Sequence, residues 1–539
     1  MRLNKRALLA VAVAASIVPG CGRRQEGFRR IAVVAFDNLS GDAALEWRGR
    51  AMSEAIALCL TGTPRSAAAS VAALADAFAA HPTHIVHGYI TRRRTYASVE
   101  DTATHRSVVE ASAENGSIAA LAAELARQID PSARALKASD ESLRLFAQGD
   151  FEAAATLDPD FGPAYAGWAA EAVAKGDRAS AERAITAARQ RGSAIDAVEQ
   201  ARLRVIAARM LGNSDALRRA LLMLAQAVPA ESGAFRMLAA VDTAGRSFNN
   251  AARWYDEAIA RDPEPELYNL AGYARAYAGD LDAAEARIGV YRRMRPAEAN
   301  PLDSLGEIHY YFGRFAQAER DFLDSYKKDP SFLGGAALYK AAWARLRMGD
   351  LKAADGYAGR YFNTQPPERA ALLRAQWRFV TGRRKEAFAG MERIPGPAAA
   401  MHLAVWSLEM GNRELAEKYA ARVPQPSPAG VALRLVLAPD PQTASGPVAE
   451  LALGYRAMLA GDPRSAVRHF TSLVRSSTPG SPDGAEILLA WALIEDGRIA
   501  DARPLLARNP IPDAVGDHPF LPLIYPRLLE LRERAGLPE

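Results

Sequence analysis

Three short stretches of this 539-residue chain carry residue types able to do chemistry. The run HPTHIVH gathers His81, His84 and His87, imidazoles of the kind that ligate zinc when they converge. Read as a strand, the run sends His84 and His87 to opposite faces, which argues against a shared metal. The run DNLSGD places Asp37, Asn38, Ser40 and Asp42 just after an apolar stretch, at the carboxyl end of a strand, where α/β sheets bind ligands. It lacks the glycine pattern that cradles phosphate, and a hydrogen-bonded turn accounts for the same residues. Cys59, in MSEAIALCLTG, falls on an apolar helical face and reads as a buried, inert thiol, not a nucleophile.

No HExxH zinc motif, phosphate loop or GxSxG elbow occurs, and the eight histidines form no other constellation. The expectation is therefore a protein with no catalytic residues, no metal and no cofactor.

The opening residues read as a processing signal. MRLNKR is basic, and ALLAVAVAASIV is an apolar run of 12 residues, too short to cross a bilayer core of roughly 30 Å. VPGCG follows, with Cys21 directly after Gly20. This is the layout of a secretory signal, and it resembles a bacterial lipoprotein signal. That resemblance implies removal of residues 1–20, lipidation of Cys21 as the first mature residue, and a tether over 21–29. Gly22, standing where an aspartate would retain the protein, implies sorting to the outer membrane with the chain on its periplasmic face. A plain signal peptide with an incidental Cys21 is the alternative. The formal charge of +5 falls to +2 once Arg2, Lys5 and Arg6 are removed, so the basic pI does not point to nucleic acid. The RRR run at 92–94 reads as a solvated hairpin edge. With only Cys21 and Cys59 present, no disulfide framework is expected.

Residues 30–131 read as a small α/β domain. A strand is expected at Ile31–Phe36, helices at 44–60 and 70–80, strands at 84–91, 95–101 and 105–113, and a closing helix at 117–129. IAVVAFDNLSGD and HIVHGYITRR resemble the TolB amino-terminal-like domain that precedes repeats in many bacterial proteins. The resemblance implies a fold and leaves function open.

From residue 141 to 509 one grammar returns about every 34 residues: YAGDLDAAEARIGVYRRMRP, YFGRFAQAERDFLDSYKKDP, RMGDLKAADGYAGRYFNTQP. Aligning Ala181, Leu217, Ala251, Ala284, Ala318, Ala354, Ala387, Ala416, Ala466 and Ala502 puts glycine five residues earlier in nine of ten cases; Arg246 is the exception. A helix that reverses tightly needs a left-handed residue past its end, which glycine supplies cheaply. Asp or Asn follows at Asp177, Asn213, Asp280, Asp350, Asn412 and Asp462, positioned to cap the next helix. A period near 34 with paired helices is that of the tetratricopeptide repeat, and the chain resembles that family through marks such as Gly272, Ala284, Pro296, Gly306, Ala318, Phe322 and Pro330. About ten helix pairs are expected, with a shortened first unit around 143–163. A proline-rich insert at 424–447 reads as a loop with one irregular helix or as a degraded repeat, and 510–539 as a capping segment. The fold class is mainly α, a superhelical solenoid preceded by a small α/β domain.

Stacked helix pairs present a groove lined by their first helices. Counting from the aligned alanines puts Asn269, Tyr273, Asp303, Glu307, Tyr310, Tyr339 and Trp343 in it. Aromatic anchors beside polar groups suit an extended peptide or a partner helix, although Tyr339 and Trp343 could equally pack between repeats. The expected function is a lipid-anchored, non-enzymatic scaffold that holds proteins or peptides, cell-envelope components among them, and no nucleic acid. The alternative is a sensor whose α/β head binds a small molecule.

Overall fold

The computed structural model describes residues 27–79, 81–424, 427–437, 446–481, 484–512 and 521–537. The signal, Cys21 and part of the insert lie outside them. The protein is mainly helical, at 67%, with its helices in repeats that resemble tetratricopeptide solenoids and a small sheet domain at the amino-terminal end. It divides into two compact units. One holds the residues up to Glu171 with Thr186–Val198 and Val228–Ala230; the other holds Ala172–Ile185, Glu199–Ala227 and the residues from Glu231 on.

In the amino-terminal unit, the strands are β1 (Arg29–Val34), β2 (Asp37–Asn38), β3 (Ser66–Val71), β4 (His84–Ile90), β5 (Arg94–Asp101) and β6 (Arg106–Glu114). They run in the order β3-β1-β4-β5-β6, with β2 beside β4. β1 pairs in parallel with β3 and β4, while β4, β5 and β6 form an antiparallel meander. Helix α1 (Glu46–Leu60) packs on α3 (Ile118–Ile129) and on β3. Helix α2 (Leu74–Ala79) sets Ala77 against Ala32, Val34 and Ile85. The helix expected over 70–80 starts later, because Ser66–Val71 is a strand. Its alanines and serines carry little strand propensity, and six parallel pairings with β1 override them. A short hairpin, α4 (Asp140–Gln148) and α5 (Phe151–Leu157), turns at Gly149 with φ +87°.

Helix pairs follow. They are α6 (Gly162–Ala174) with α7 (Arg178–Arg191), α8 (Ala197–Met210) with α9 (Ser214–Ala227), and α10 (Ser232–Ala244) with α11 (Phe248–Arg261). Next come α12 (Pro265–Tyr277) with α13 (Leu281–Met294), α14 (Asn300–Tyr311) with α15 (Phe315–Lys328), and α16 (Ala336–Arg347) with α17 (Leu351–Phe362). Then α18 (Pro367–Val380) pairs with α19 (Arg384–Glu392) and α20 (Pro397–Glu409) with α21 (Arg413–Ala420). The lone α22 (Pro428–Leu437) precedes α23 (Pro447–Leu459) with α24 (Pro463–Ser476) and α25 (Ala485–Glu495) with α26 (Ile499–Leu506). Helix α27 (Leu521–Arg534) comes last.

The repeat grammar has a direct structural counterpart. All nine turn glycines have positive φ, from +62° to +90°, and Arg246 at the tenth turn has φ +57°. All six Asx residues cap the following helix, each accepting from the backbone amide three residues on. The nine aligned alanines are 0% exposed, because each sits where two helices cross. A larger residue there would push the pair apart. Gly306 has the same role on the first helix: a Cβ there would stand 2.6 Å from the Phe322 ring. Within the insert, α22 packs on α20, α21 and α23 as a single helix. Helix α27 covers the last pair as a cap would, but it also packs on α18.

Candidate functional site

The polar stretches of the amino-terminal unit are self-satisfied. Asn38 Oδ1 accepts from the Ser40 amide and hydroxyl, and Asp42 Oδ1 accepts from the Ala44 amide. DNLSGD is thus a hydrogen-bonded turn leading into α1. His84 pairs with the Thr83 hydroxyl, and burial lowers its pKa, with Arg29 adding to the effect. His87 is exposed, and among the described residues no group of His, Cys, Asp or Glu could hold a metal. Cys59 is fully buried, and burial pushes its thiol up to about 12.

In the carboxyl-terminal unit, α12, α14 and α16 are first helices of consecutive pairs. A 34-residue step therefore carries one side chain to the equivalent place on the next. Asn269 and Asp303 are so related, as are Tyr273 and Glu307. Tyr273 donates its hydroxyl to Glu307 Oε2, and Lys340 Nζ donates to Asp303 Oδ2 at 2.7 Å and to Glu307 Oε1. Asp303 and Lys340 are 3% and 4% exposed. Burial raises the Asp303 carboxyl to about 6; the Lys340 charge opposes this shift and Glu307 adds to it. Burial would lower the Lys340 ammonium, but Glu307 and Asp303 outweigh it and its pKa rises. Burial, helped by Glu307, raises Tyr273 well above the usual phenol range. Two acceptors in this ladder, Asn269 Oδ1 and Asp303 Oδ1, are buried without a hydrogen-bond partner.

The groove expected from the repeat spacing holds Asn269, Tyr273, Asp303 and Glu307 together with Tyr310, Tyr339 and Trp343, and the structure separates the two sets. Tyr310, Tyr339 and Trp343 are buried in one apolar cluster with Tyr361 and Trp377. Tyr339 lies 5.3 Å from the Tyr361 ring, and Trp343 lies 5.6 Å from Trp377. They join one pair to the next and offer no open surface, which corrects their expected place as groove lining. Lys340 was missed. Its signal was present in AALYKAAWARL, where it is the one charge between two runs of apolar residues.

Next to the ladder, the ends of α10, α12 and α14 meet the chain more than 190 residues later. Arg246 donates to the carbonyls of Val474 and Ser477, at 3.2 and 2.8 Å, and to the Glu486 carboxylate. The Asn509 amide donates to Tyr311 O at 3.0 Å, and the Ile511 amide to Gly480 O at 2.7 Å. Arg508 lies 4.3 Å over the Phe312 ring. Tyr277 bridges ladder and junction, its ring tilted against Tyr273 at 6.0 Å and edge-on to Tyr311 at 5.8 Å. Burial, with Glu486 adding to it, pushes the Tyr311 hydroxyl up to about 12.

No family model and no curated protein matches the chain. Solved structures resemble parts of it. One is a tetratricopeptide repeat protein from Parabacteroides merdae, at 16% identity over 47% of this chain and 95% of that one, with a TM-score of 0.33. Another is the apo form of the quorum sensor NprR from B. thuringiensis, at 15% identity over 60% of this chain and 93% of that one, TM-score 0.34. A third is YrrB, a TPR protein with an unusual peptide-binding site, at 13% identity over 34% of this chain and 93% of that one, TM-score 0.27.

Proposed function

We propose that this protein is a non-enzymatic interaction scaffold whose first helices α12 and α14 hold an extended segment of a partner protein. The observation that supports this is the pair of orphan acceptors, Asn269 Oδ1 and Asp303 Oδ1, at equivalent places one repeat apart. A buried acceptor without a donor costs about 1–3 kcal/mol. Backbone amides or basic side chains of an extended segment would offset that cost twice at the spacing of the repeat. In the same reading, Cys21 is lipidated and holds the protein on the periplasmic face of the outer membrane, with envelope proteins as partners.

The test is a photo-crosslinking amino acid at Tyr277, and in a second chain at Arg320 on the second helix of a pair. Both chains are expressed in the native cells and adducts are identified by mass spectrometry. Partner adducts from position 277 in excess of those from 320 are expected; equal yields would refute the assignment. Cys21→Ser is expected to move the protein from the membrane fraction to the soluble one.

The alternative, a ligand-sensing head, has one observation in its favour. A cavity of about 360 Å³ in the amino-terminal unit is lined by Arg29, His84, Gln128 and the valines of β5 and β6. A shift in melting with a panel of small carboxylates would support it.

A further inference from the structure

The orphan acceptors are enclosed as well as unpaired, so a partner reaching them needs a way in. Arg246 stands where every other aligned repeat has glycine, and its φ of +57° is a conformation that non-glycine residues rarely adopt. A backbone rule broken in one repeat of ten calls for a compensating interaction, and the side chain supplies it. The guanidinium ties the α10–α11 turn to two carbonyls at the end of α24 and to Glu486 on α25. Beside it, Gly480 is pressed so closely to Tyr311 that a Cβ would stand 2.7 Å from the ring. The Asn509 and Ile511 amides complete the seam. The seam joins the third to fifth aligned repeats to the last two. It rests on a few polar bonds, on Tyr311 against Gly480 and on Arg508 over Phe312, whereas neighbouring pairs are joined by larger apolar clusters.

We infer that this seam is a latch, with Arg246 as its bolt, that opens to admit a partner segment to the α12–α14 ladder and closes in its absence. The inference rests on the proposed binding role of that ladder. The bolt releases by breaking one ion pair and two carbonyl bonds. The repeats on either side keep their own cores, so opening is local and not an unfolding.

The test uses the full chain with Glu486→Ala, which removes the bolt's carboxylate, also the acceptor of the Gly480 amide, and leaves Arg246 in place; the Asn509 amide, which crosses the seam, is the deciding readout. Hydrogen exchange at the Asn509 and Ile511 amides is expected to quicken by at least about tenfold, with exchange in the α14 and α16 cores unchanged. Partner adducts from a photo-crosslinker at position 277 are expected to rise several-fold over the same label in the otherwise unaltered chain. Unchanged exchange at the Asn509 amide overturns the latch. Faster exchange with an unchanged adduct yield overturns the gating and leaves the scaffold reading standing. No adducts in either background sinks the gating together with the binding role beneath it.

Discussion

Arg246 and Glu486 are joined by a hydrogen-bonded ion pair across 240 residues of sequence, and both side chains are largely buried. The same arginine holds a left-handed backbone at a turn where nine equivalents are glycine. Its side chain and its main chain therefore pull on stability in opposite directions.

A double-mutant cycle separates the two. In the parent chain, Arg246→Gly is expected to destabilise the carboxyl-terminal unit, because breaking a buried pair costs about 3–5 kcal/mol and the relieved turn returns only about 1–2 kcal/mol. In a Glu486→Ala background the ion pair is already gone and only the two carbonyl bonds to Val474 and Ser477 are lost, so the same change should cost markedly less. Denaturant melts of the four chains give the coupling. Equal effects in both backgrounds would mean that Arg246 does not act through Glu486.

Lys340→Met leaves the Asp303 and Glu307 carboxylates facing each other without their cation. The expected loss is about 3–5 kcal/mol at pH 8. The Asp303 pKa is raised in the fold, so its carboxyl is neutral below about 6 and repels little there. The cost of Lys340→Met should therefore shrink as pH falls from 8 to 5, which urea melts at the two pH values will show.

His309 is buried between two carboxylates, with Nδ1 2.5 Å from Asp321 and Nε2 2.9 Å from Glu285. Burial alone would lower its pKa; the hydrogen bonds and charges of Asp321 and Glu285 outweigh it, and the pKa is raised. A raised folded pKa adds stability that is fully present below the unfolded value, near 6.5, and is lost as pH rises through the folded one. His309→Gln should cost about 1.5–3 kcal/mol at pH 6 and progressively less towards pH 9. A pH-independent cost would show that the imidazole is neutral in the fold.

Two helical glycines should respond in opposite ways to alanine. Gly306→Ala drives a methyl into Phe322 and should cost about 1–3 kcal/mol. Gly356 has open space around its Cβ direction and an ordinary φ, so Gly356→Ala should stabilise by about 0.4–1 kcal/mol. Thermal melts of the two variants decide.

The repeats were legible because their signals are local: a left-handed glycine, an Asx cap and a small residue at the crossing each act within a few residues of chain. The meander β4–β6 was legible for the same reason. β3 was not, because its identity comes from pairing with β1 and its composition favours a helix. The ladder was half legible. The 34-residue step picks out Asn269 with Asp303 and Tyr273 with Glu307, but spacing alone cannot tell a polar wall from the aromatic seam of Tyr310, Tyr339 and Trp343. The latch was out of reach. Arg246 showed only as a missing glycine, and its partners lie more than 220 residues away.

The most direct test of the closed, self-joined repeat unit is native-state hydrogen exchange at two amides, Asn509 and Ile511, in the unaltered chain. The structure predicts protection well above that of an unprotected loop, since the Asn509 amide donates to Tyr311 O across the seam and the Ile511 amide to Gly480 O beside it. Exchange at the rate of an unprotected loop would contradict it.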